Sequence, residues 1–245
     1  MIEEACTNRA QILVLPEMFN TGCAFSERKV VFSLAEEIPG GKSSQLLLDL
    51  AKTHQVYIVG SLIEREGPDL YNTAILAGPD GLVGKYRKLH PCEEEVYWVE
   101  PGNLGLPVFH TPIGRIALLI CLDAYYPETA RICAMQGADI ICIPSNWSDV
   151  KKARNLADPY CTMAPVLCMA NALFNHALIA GTNCVGKMGD RVFPGQSVIA
   201  NPWGAPIAGP ASREDFHPTN SRLANRRTDV YSADLGYDPK KYLQK

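Results

Sequence analysis

Arg115-Ile-Ala-Leu-Leu-Ile-Cys121-Leu-Asp-Ala-Tyr-Tyr-Pro127-Glu-Thr-Ala-Arg131 is the stretch on which the fold turns. Its first half is an unbroken apolar run of strand length, which predicts a buried β-strand. Its second half carries Pro127 at an early helix position and Glu128 at the positive end, and Gly137 stops the helix. Between them Cys121 sits at a strand-to-helix turn. Such turns project a side chain into the crevice beyond the strand's carboxyl end, where α/β enzymes place nucleophiles. A thiol in a strand is more often a small core residue than a catalyst. To react at neutral pH it needs a partner that removes its proton.

Working outward, the same pattern repeats. Gln11-Ile-Leu-Val-Leu15 is a short apolar strand stopped by Pro16, and Ser43 to His54 carries Leu46, Leu47, Leu50 and Ala51 at helical spacing. Val56–Ile63 and Tyr71–Ala77 read as strands, and Gly78-Pro-Asp-Gly81 turns the chain into a third that ends at Lys88. Val108–Thr111 and Arg115–Ile120 form a second pair about Pro112-Ile-Gly114. Ala138–Pro144, Leu178–Asn183 and Ser197–Asn201 are further strands, and Pro165–Ala177 is a helix. Strand pairs alternating with helices predict an α/β architecture with helices packed on mixed sheets. No linker divides the 245 residues, so residues 1–245 read as a single domain.

Two strand ends offer Cys121 a partner. Leu15-Pro-Glu17 places a carboxylate after a buried strand, and Lys85-Tyr-Arg-Lys88 places a cation after the hairpin. Glu93-Glu94-Glu95 is an acidic run nearby in sequence. Each has an ordinary alternative: a strand-end carboxylate in water, a solvated hairpin end, a loop surface.

Composition narrows the function classes. A net charge of −3 with only short basic runs, Lys151-Lys152 and Arg226-Arg227, gives no reason to expect nucleic acid. No stretch approaches a membrane span, and Met1-Ile-Glu-Glu-Ala-Cys6 lacks the basic and apolar regions of a leader. Nine cysteines without a Cys-x-x-Cys pair, several inside apolar runs, predict free thiols in a reducing cytoplasm. Five scattered His show no metal-ligand spacing, and no Gly-rich phosphate loop appears, so neither metal nor cofactor is expected.

Taken together, Leu-Pro-Glu17-Met-Phe, Lys85-Tyr-Arg-Lys88-Leu-His and Ile-Cys121-Leu-Asp-Ala-Tyr-Tyr-Pro-Glu-Thr-Ala-Arg resemble the nitrilase superfamily of carbon–nitrogen hydrolases, in that family's order and over about Ala10 to Trp203. The resemblance implies a four-layer α-β-β-α sandwich, dimeric or larger. It implies Glu17 as general base, Cys121 as nucleophile, and Lys88 with the backbone N–H of Leu122 as oxyanion donors. The family's second glutamate precedes a Pro-Gly pair; Glu95, before Pro101-Gly102, fits that offset, with Glu93 and Glu94 as competitors. Tyr125, Tyr126, Asn146 and Trp147 follow strand ends and are expected either to line the pocket or to pack beneath the turn. Cys-Leu-Asp followed by aromatics looks like the amidase and carbamoylase branches, so a small amide or N-carbamoyl compound plus water is the expected substrate, ahead of a nitrile.

Three departures from the family accompany the resemblance. The usual strand before the first helix is expected to be missing beside Gln11–Leu15, leaving an apolar sheet edge. Asn171 and Phe174 stand where the family usually carries Arg and Glu. A polar stretch from Pro210 to Arg227 precedes a displaced strand at Asp229–Leu235. Two other classes compete: a cysteine–histidine hydrolase using His90 or His176, and a non-catalytic scaffold. The joint presence of Glu17, Lys88 and Cys121 favours neither.

Overall fold

The computed structural model describes residues 2–148, 163–189 and 191–210. The polar stretch after Pro210, the strand expected at Asp229–Leu235 and the Lys151-Lys152 pair lie outside the described residues.

Two sheets form the centre. One runs in the order β1–β2–β3–β4, from Ile12–Val14, Tyr57–Glu66, Asp69–Gly78 and Gly81–Arg87. β1 is parallel to β2, and β2–β3–β4 is the antiparallel meander that the turn residues predicted. The second sheet is built on β5 (Val108–Thr111), β6 (Gly114–Leu118), β7 (Ile140–Ser145), β8 (Leu178–Asn183), β11 (Val198–Ala200) and β12 (Pro206–Ala208). Its order is β12–β11–β8–β7–β6–β5, with parallel β6–β7–β8 in the middle. β9 (Val185–Met188) and β10 (Arg191–Pro194) form a separate ribbon.

Alternation along each strand sorts the core. Tyr57, Val59, Ala74, Leu76 and Tyr86 face the second sheet and pack with Ile116, Leu118, Ile140 and Cys142 in one continuous core. Their neighbours Ile58, Leu62, Ile75 and Ala77 face the other way, onto Leu47 and Ala51 of α3 (Lys42–His54). On the far side of the second sheet lie α4 (Pro127–Met135) and α5 (Ala164–Asn175), which bury Ala130, Cys133, Cys168 and Ala172. The layers run α-β-β-α, as expected.

Helix ends fall where local chemistry places them. α3 stops at Gln55, which is left-handed and returns its N–H to Ala51 O. α4 begins on Pro127 and ends before Gly137, whose φ of +92° suits a residue without a Cβ. β1 pairs with β2 on one side, and among the described residues no strand pairs with its other edge. α1 (Ile2–Thr7) is the first helix that the resemblance implies just before Gln11, whereas sequence reading missed α2 (Arg28–Leu34), the β9–β10 ribbon and β12. These are short elements whose apolar periodicity is too brief to stand out.

Candidate active site

Cys121 lies just beyond β6, at the start of a 3-10 turn, Cys121–Tyr125, that leads into α4. Its φ of +46° is the left-handed conformation, which an L-residue other than Gly adopts only when its surroundings enforce it. Asp123 supplies that enforcement. Its fully buried carboxylate accepts hydrogen bonds from the Ile120 N–H (3.0 Å), the Tyr86 hydroxyl (2.7 Å) and the His90 N–H (3.1 Å), and pairs with His90 Nδ1 at 2.8 Å. From α5, Asn171 Nδ2 donates to Ala124 O at 2.9 Å. Asn171 thus ties the turn to the helix behind it.

Glu17 arrives from β1. Asn146, at the end of β7, clamps it: the Asn146 N–H donates to Glu17 Oε2 (2.9 Å) and Asn146 Nδ2 donates to Glu17 O (2.8 Å). Lys88 follows β4 and places Nζ 2.8 Å from Glu17 Oε1 and 2.5 Å from Glu95 Oε2. Glu95 is held by a 3-10 turn, Glu93–Tyr97, and its Oε2 also accepts the Cys92 N–H at 2.8 Å. Of the three sequential glutamates it is Glu95 that turns inward and is buried, whereas Glu93 and Glu94 face outward.

Sequence reading missed Asn72. Its Nδ2 donates to Glu17 Oε1 (2.8 Å) and to Glu95 Oε1 (2.6 Å), so one amide and one ammonium bridge the same two carboxylates. Asn72 lies inside β3, where every residue after Asp69 is buried; a buried amide within such a strand was the available signal.

The electrostatics follow from burial. Burial raises the Glu17 carboxyl above its ordinary value, against the pull of Lys88. The Cys121 thiol is pushed well above its ordinary value by burial and by Glu17, opposed by Lys88 and the Asn146 N–H. Burial alone would lower Lys88, but Glu17, Glu95 and Cys121 outweigh it and hold the ammonium charged. The resting site is therefore a protonated thiol beside a carboxylate of enhanced basicity and a fixed cation.

Glu17, Lys88, Glu95, Cys121 and Asn146 line one pocket, with Met18, Cys23, Cys92, Trp98, Glu94 and Arg191 around them. The remaining sequence candidates sit otherwise. Tyr126 is half-exposed and stacks on His90 with ring centroids 3.8 Å apart, and Tyr125 is also half-exposed. Trp147 is buried beneath, its backbone N–H donating to Asn183 Oδ1 at 2.7 Å. Leu122 follows Cys121 in the turn with its side chain partly buried. None of these four side chains lines the pocket. Neither does His90, which is spent on Asp123, or His176, which caps α5 and packs edge-on against Trp203. The cysteine–histidine pairing therefore has no geometric basis. The described residues contain no cluster of three His, Cys, Asp or Glu arranged to hold a metal, their eight cysteines are free, and none of their helices is long and apolar enough to cross a membrane.

Known proteins resemble this chain in sequence and in fold. The carbon–nitrogen hydrolase family model matches residues 1–215. The chain is 40% identical to a nitrilase from Pyrococcus abyssi over 202 residues, covering 82% of this chain and 72% of that protein. It is 33% identical to an omega-amidase from Homo sapiens over 229 residues, covering 87% and 77%. The crystal structure of a carbon–nitrogen hydrolase from Helicobacter pylori G27 superposes with a TM-score of 0.77 at 26% identity, over 96% of this chain and 90% of that one. A fold of two facing sheets with a cysteine at a strand-to-helix turn, together with family matches over most of its length, identifies the chain as a member of the carbon–nitrogen hydrolase family, within the nitrilase superfamily.

Proposed function

We propose that this protein hydrolyses a small amide or N-carbamoyl compound to an acid and ammonia or an amine, through a thioester on Cys121. The observation that carries the reading is the meeting of Glu17, Lys88, Glu95 and Cys121, from four separate strand ends and turns, in one pocket. Glu17 takes the Cys121 proton and the thiolate attacks the carbonyl carbon. Lys88 and the Leu122 backbone N–H stabilise the oxyanion of the tetrahedral intermediate. Glu17 returns the proton to the leaving nitrogen, the C–N bond breaks, and a thioester remains. A water deprotonated by Glu17 attacks the thioester, and the acid leaves as the proton returns to sulfur. Glu95 and Asn72 act as positioning residues that hold Lys88 and Glu17 in register.

Two observations support an amide. Amidases stand among the relatives, including the human omega-amidase and a 2-oxoglutaramate amidase from Bacillus subtilis. Asn146, on the pocket wall, has a buried Oδ1 without a hydrogen-bond partner among the described residues, an acceptor that an amide N–H can fill and a nitrile cannot. The second reading, nitrile hydrolysis by the same site, is favoured by the name of the Pyrococcus abyssi relative. Ammonia release from amides, N-carbamoyl amino acids and matching nitriles, with Cys121→Ala alongside, tests both. Release from amides or carbamoyl compounds, lost in the variant, is expected. Release confined to nitriles moves the reading to the nitrilase branch, and undiminished turnover by Cys121→Ala overturns the mechanism. We further propose a homodimer or larger assembly, since Met135 of α4 and Phe174 of α5 leave 80% and 61% of their surface exposed.

A further inference from the structure

We propose that Arg191 selects substrates whose acyl part ends in a carboxylate; the inference rests on the amide-hydrolase reading above. The pocket over Cys121 holds two cations, Lys88 and Arg191. They are placed very differently. Lys88 is fully buried, and two carboxylates take two of its three N–H donors, leaving one for an oxyanion. Arg191 stands at the open side of the pocket on β10, in the ribbon that belongs to neither main sheet, with about a third of its side chain exposed. One cation thus lies against the reacting thiol and the other at the mouth. An acyl chain lying between them meets Lys88 at its carbonyl and Arg191 at its far end.

The guanidinium is free to accept such an end. Among the described residues its ion pairs run through Nη2, to Glu93 at 2.8 Å and Glu94 at 3.3 Å. Among the described residues Nε and Nη1 have no recorded partner. Arg presents five N–H groups in a planar fork that matches a carboxylate in bidentate fashion, so most of its donors remain available. Glu93 and Glu94 are each 62% exposed, and exposed ion pairs contribute little net stability and exchange readily. A substrate carboxylate can therefore join or replace them. At the inner end of the pocket two buried carboxylates, Glu17 and Glu95, face the single ammonium of Lys88, so a substrate carboxylate is disfavoured there and finds its cation in Arg191.

The test compares glutaramate with its neutral diamide, glutaramide, which differ at the far end and not at the scissile amide. Wild type is expected to prefer glutaramate. In Arg191→Ala and Arg191→Gln the ratio of the two kcat/KM values should fall roughly 10- to 100-fold, the size of a lost charge-assisted hydrogen bond, chiefly through KM for glutaramate. Arg191→Lys, which keeps the charge and loses the fork, should recover part of the ratio. An unchanged ratio, or a wild-type preference for the diamide or for an amide with an ammonium tail, overturns the proposal while leaving the amidase reading intact. Binding is read separately, as protection of Cys121 against iodoacetamide by glutarate. If neither amide is hydrolysed the amidase reading fails, and glutarate protection that persists in Arg191→Ala then overturns the role of Arg191 as well.

Discussion

Lys88 Nζ lies 2.8 Å from Glu17 Oε1, and both side chains are sealed from solvent. The pair is completed by Glu95, so removal of the ammonium leaves two buried carboxylates facing each other. Breaking a buried ion pair by deleting one partner costs about 3–5 kcal/mol. Lys88→Met is therefore expected to lose stability of that order and also turnover, by at least about 10²-fold, because an oxyanion donor is gone. Chemical denaturation and ammonia release on the same preparation measure both. A stable Lys88→Met protein with normal turnover would remove Lys88 from the mechanism.

Asn72 bridges the same two carboxylates, at 2.8 and 2.6 Å. Asn72→Asp adds a third carboxylate to a site with one buried cation. Its expected consequence is a drop in kcat and a further rise in the Glu17 carboxyl, seen as an alkaline shift of the acid limb of the rate profile. Asn72→Leu removes both donated bonds and is expected to cost about 1–3 kcal/mol. A variant that loses stability with an unshifted acid limb would give Asn72 a structural role only.

The difference between Asn72 and Glu17 marks what the sequence makes legible. Glu17, Lys88 and Cys121 each end or follow a strand beside a proline, a turn or a helix start, and local punctuation exposes them. Asn72 sits within a strand, and its significance arises only when β3 lies between the segments carrying Glu17 and Glu95, a long-range pairing that no window along the chain contains. Asp123 was visible as a neighbour of Cys121, but its partner Tyr86 reaches it from the other sheet. Arg191 was hidden for a further reason: the β9–β10 ribbon has strands of four residues, too short for alternation to declare them. The layers and the strand pairs were readable because apolar runs and turn residues set them locally. The aromatics Tyr126 and Trp147 carried no information about which way their strand ends turn.

Gly102 gives a second route to Lys88. Its N–H donates to Lys88 O at 2.8 Å, and a Cβ built there would collide with the carbonyl oxygen of Arg87. Backbone cannot rotate aside as a side chain can. Gly102→Ala is expected to cost about 1–3 kcal/mol and to lower kcat by displacing Lys88, with KM less affected. Thermal unfolding and steady-state kinetics check the two effects, and a wild-type kcat in a destabilised variant would show that Lys88 keeps its position independently.

The pH dependence has two opposed signs. Glu17 must be ionised to act as a base and its pKa is raised by burial, so kcat/KM is expected to fall about tenfold per pH unit below a value above the ordinary 4.5. The same shift gives Glu17 a stability contribution present below 4.5 and lost as pH rises through the folded value. Glu64 behaves in reverse. Burial would raise it, but hydrogen bonds from Arg87, Lys85 and Thr73 lower it below 4.5. Its contribution is therefore present above 4.5 and lost as pH falls through the folded value. The stability difference between wild type and Glu64→Gln, followed by urea denaturation across the acid range, should be constant near neutrality and shrink on acidification. A difference that grows instead would reverse the sign assigned to Glu64.

Asp123 tests whether the turn itself, apart from the charges around it, sets the reactivity of Cys121. Its carboxylate accepts from Ile120, at the thiol's own strand end, and from Tyr86 and His90, at the end of β4 and just after it. Burial raises Asp123, while the Tyr86 hydroxyl, the Ile120 N–H and His90 pull it back. Asp123→Asn keeps the shape but replaces one acceptor oxygen with an NH2 group that faces donors. At least one of the three bonds becomes a donor–donor contact, which costs about 1–3 kcal/mol in a buried position. Released from Ile120, the turn no longer enforces the left-handed conformation at Cys121, which by itself is unfavourable for a residue with a Cβ. The expected outcome is a lower kcat with slower alkylation of Cys121 by iodoacetamide at every pH, the thiol being misplaced rather than retitrated. A variant with slowed turnover but a normal alkylation rate would show that Asp123 acts on the bound substrate and not through the turn.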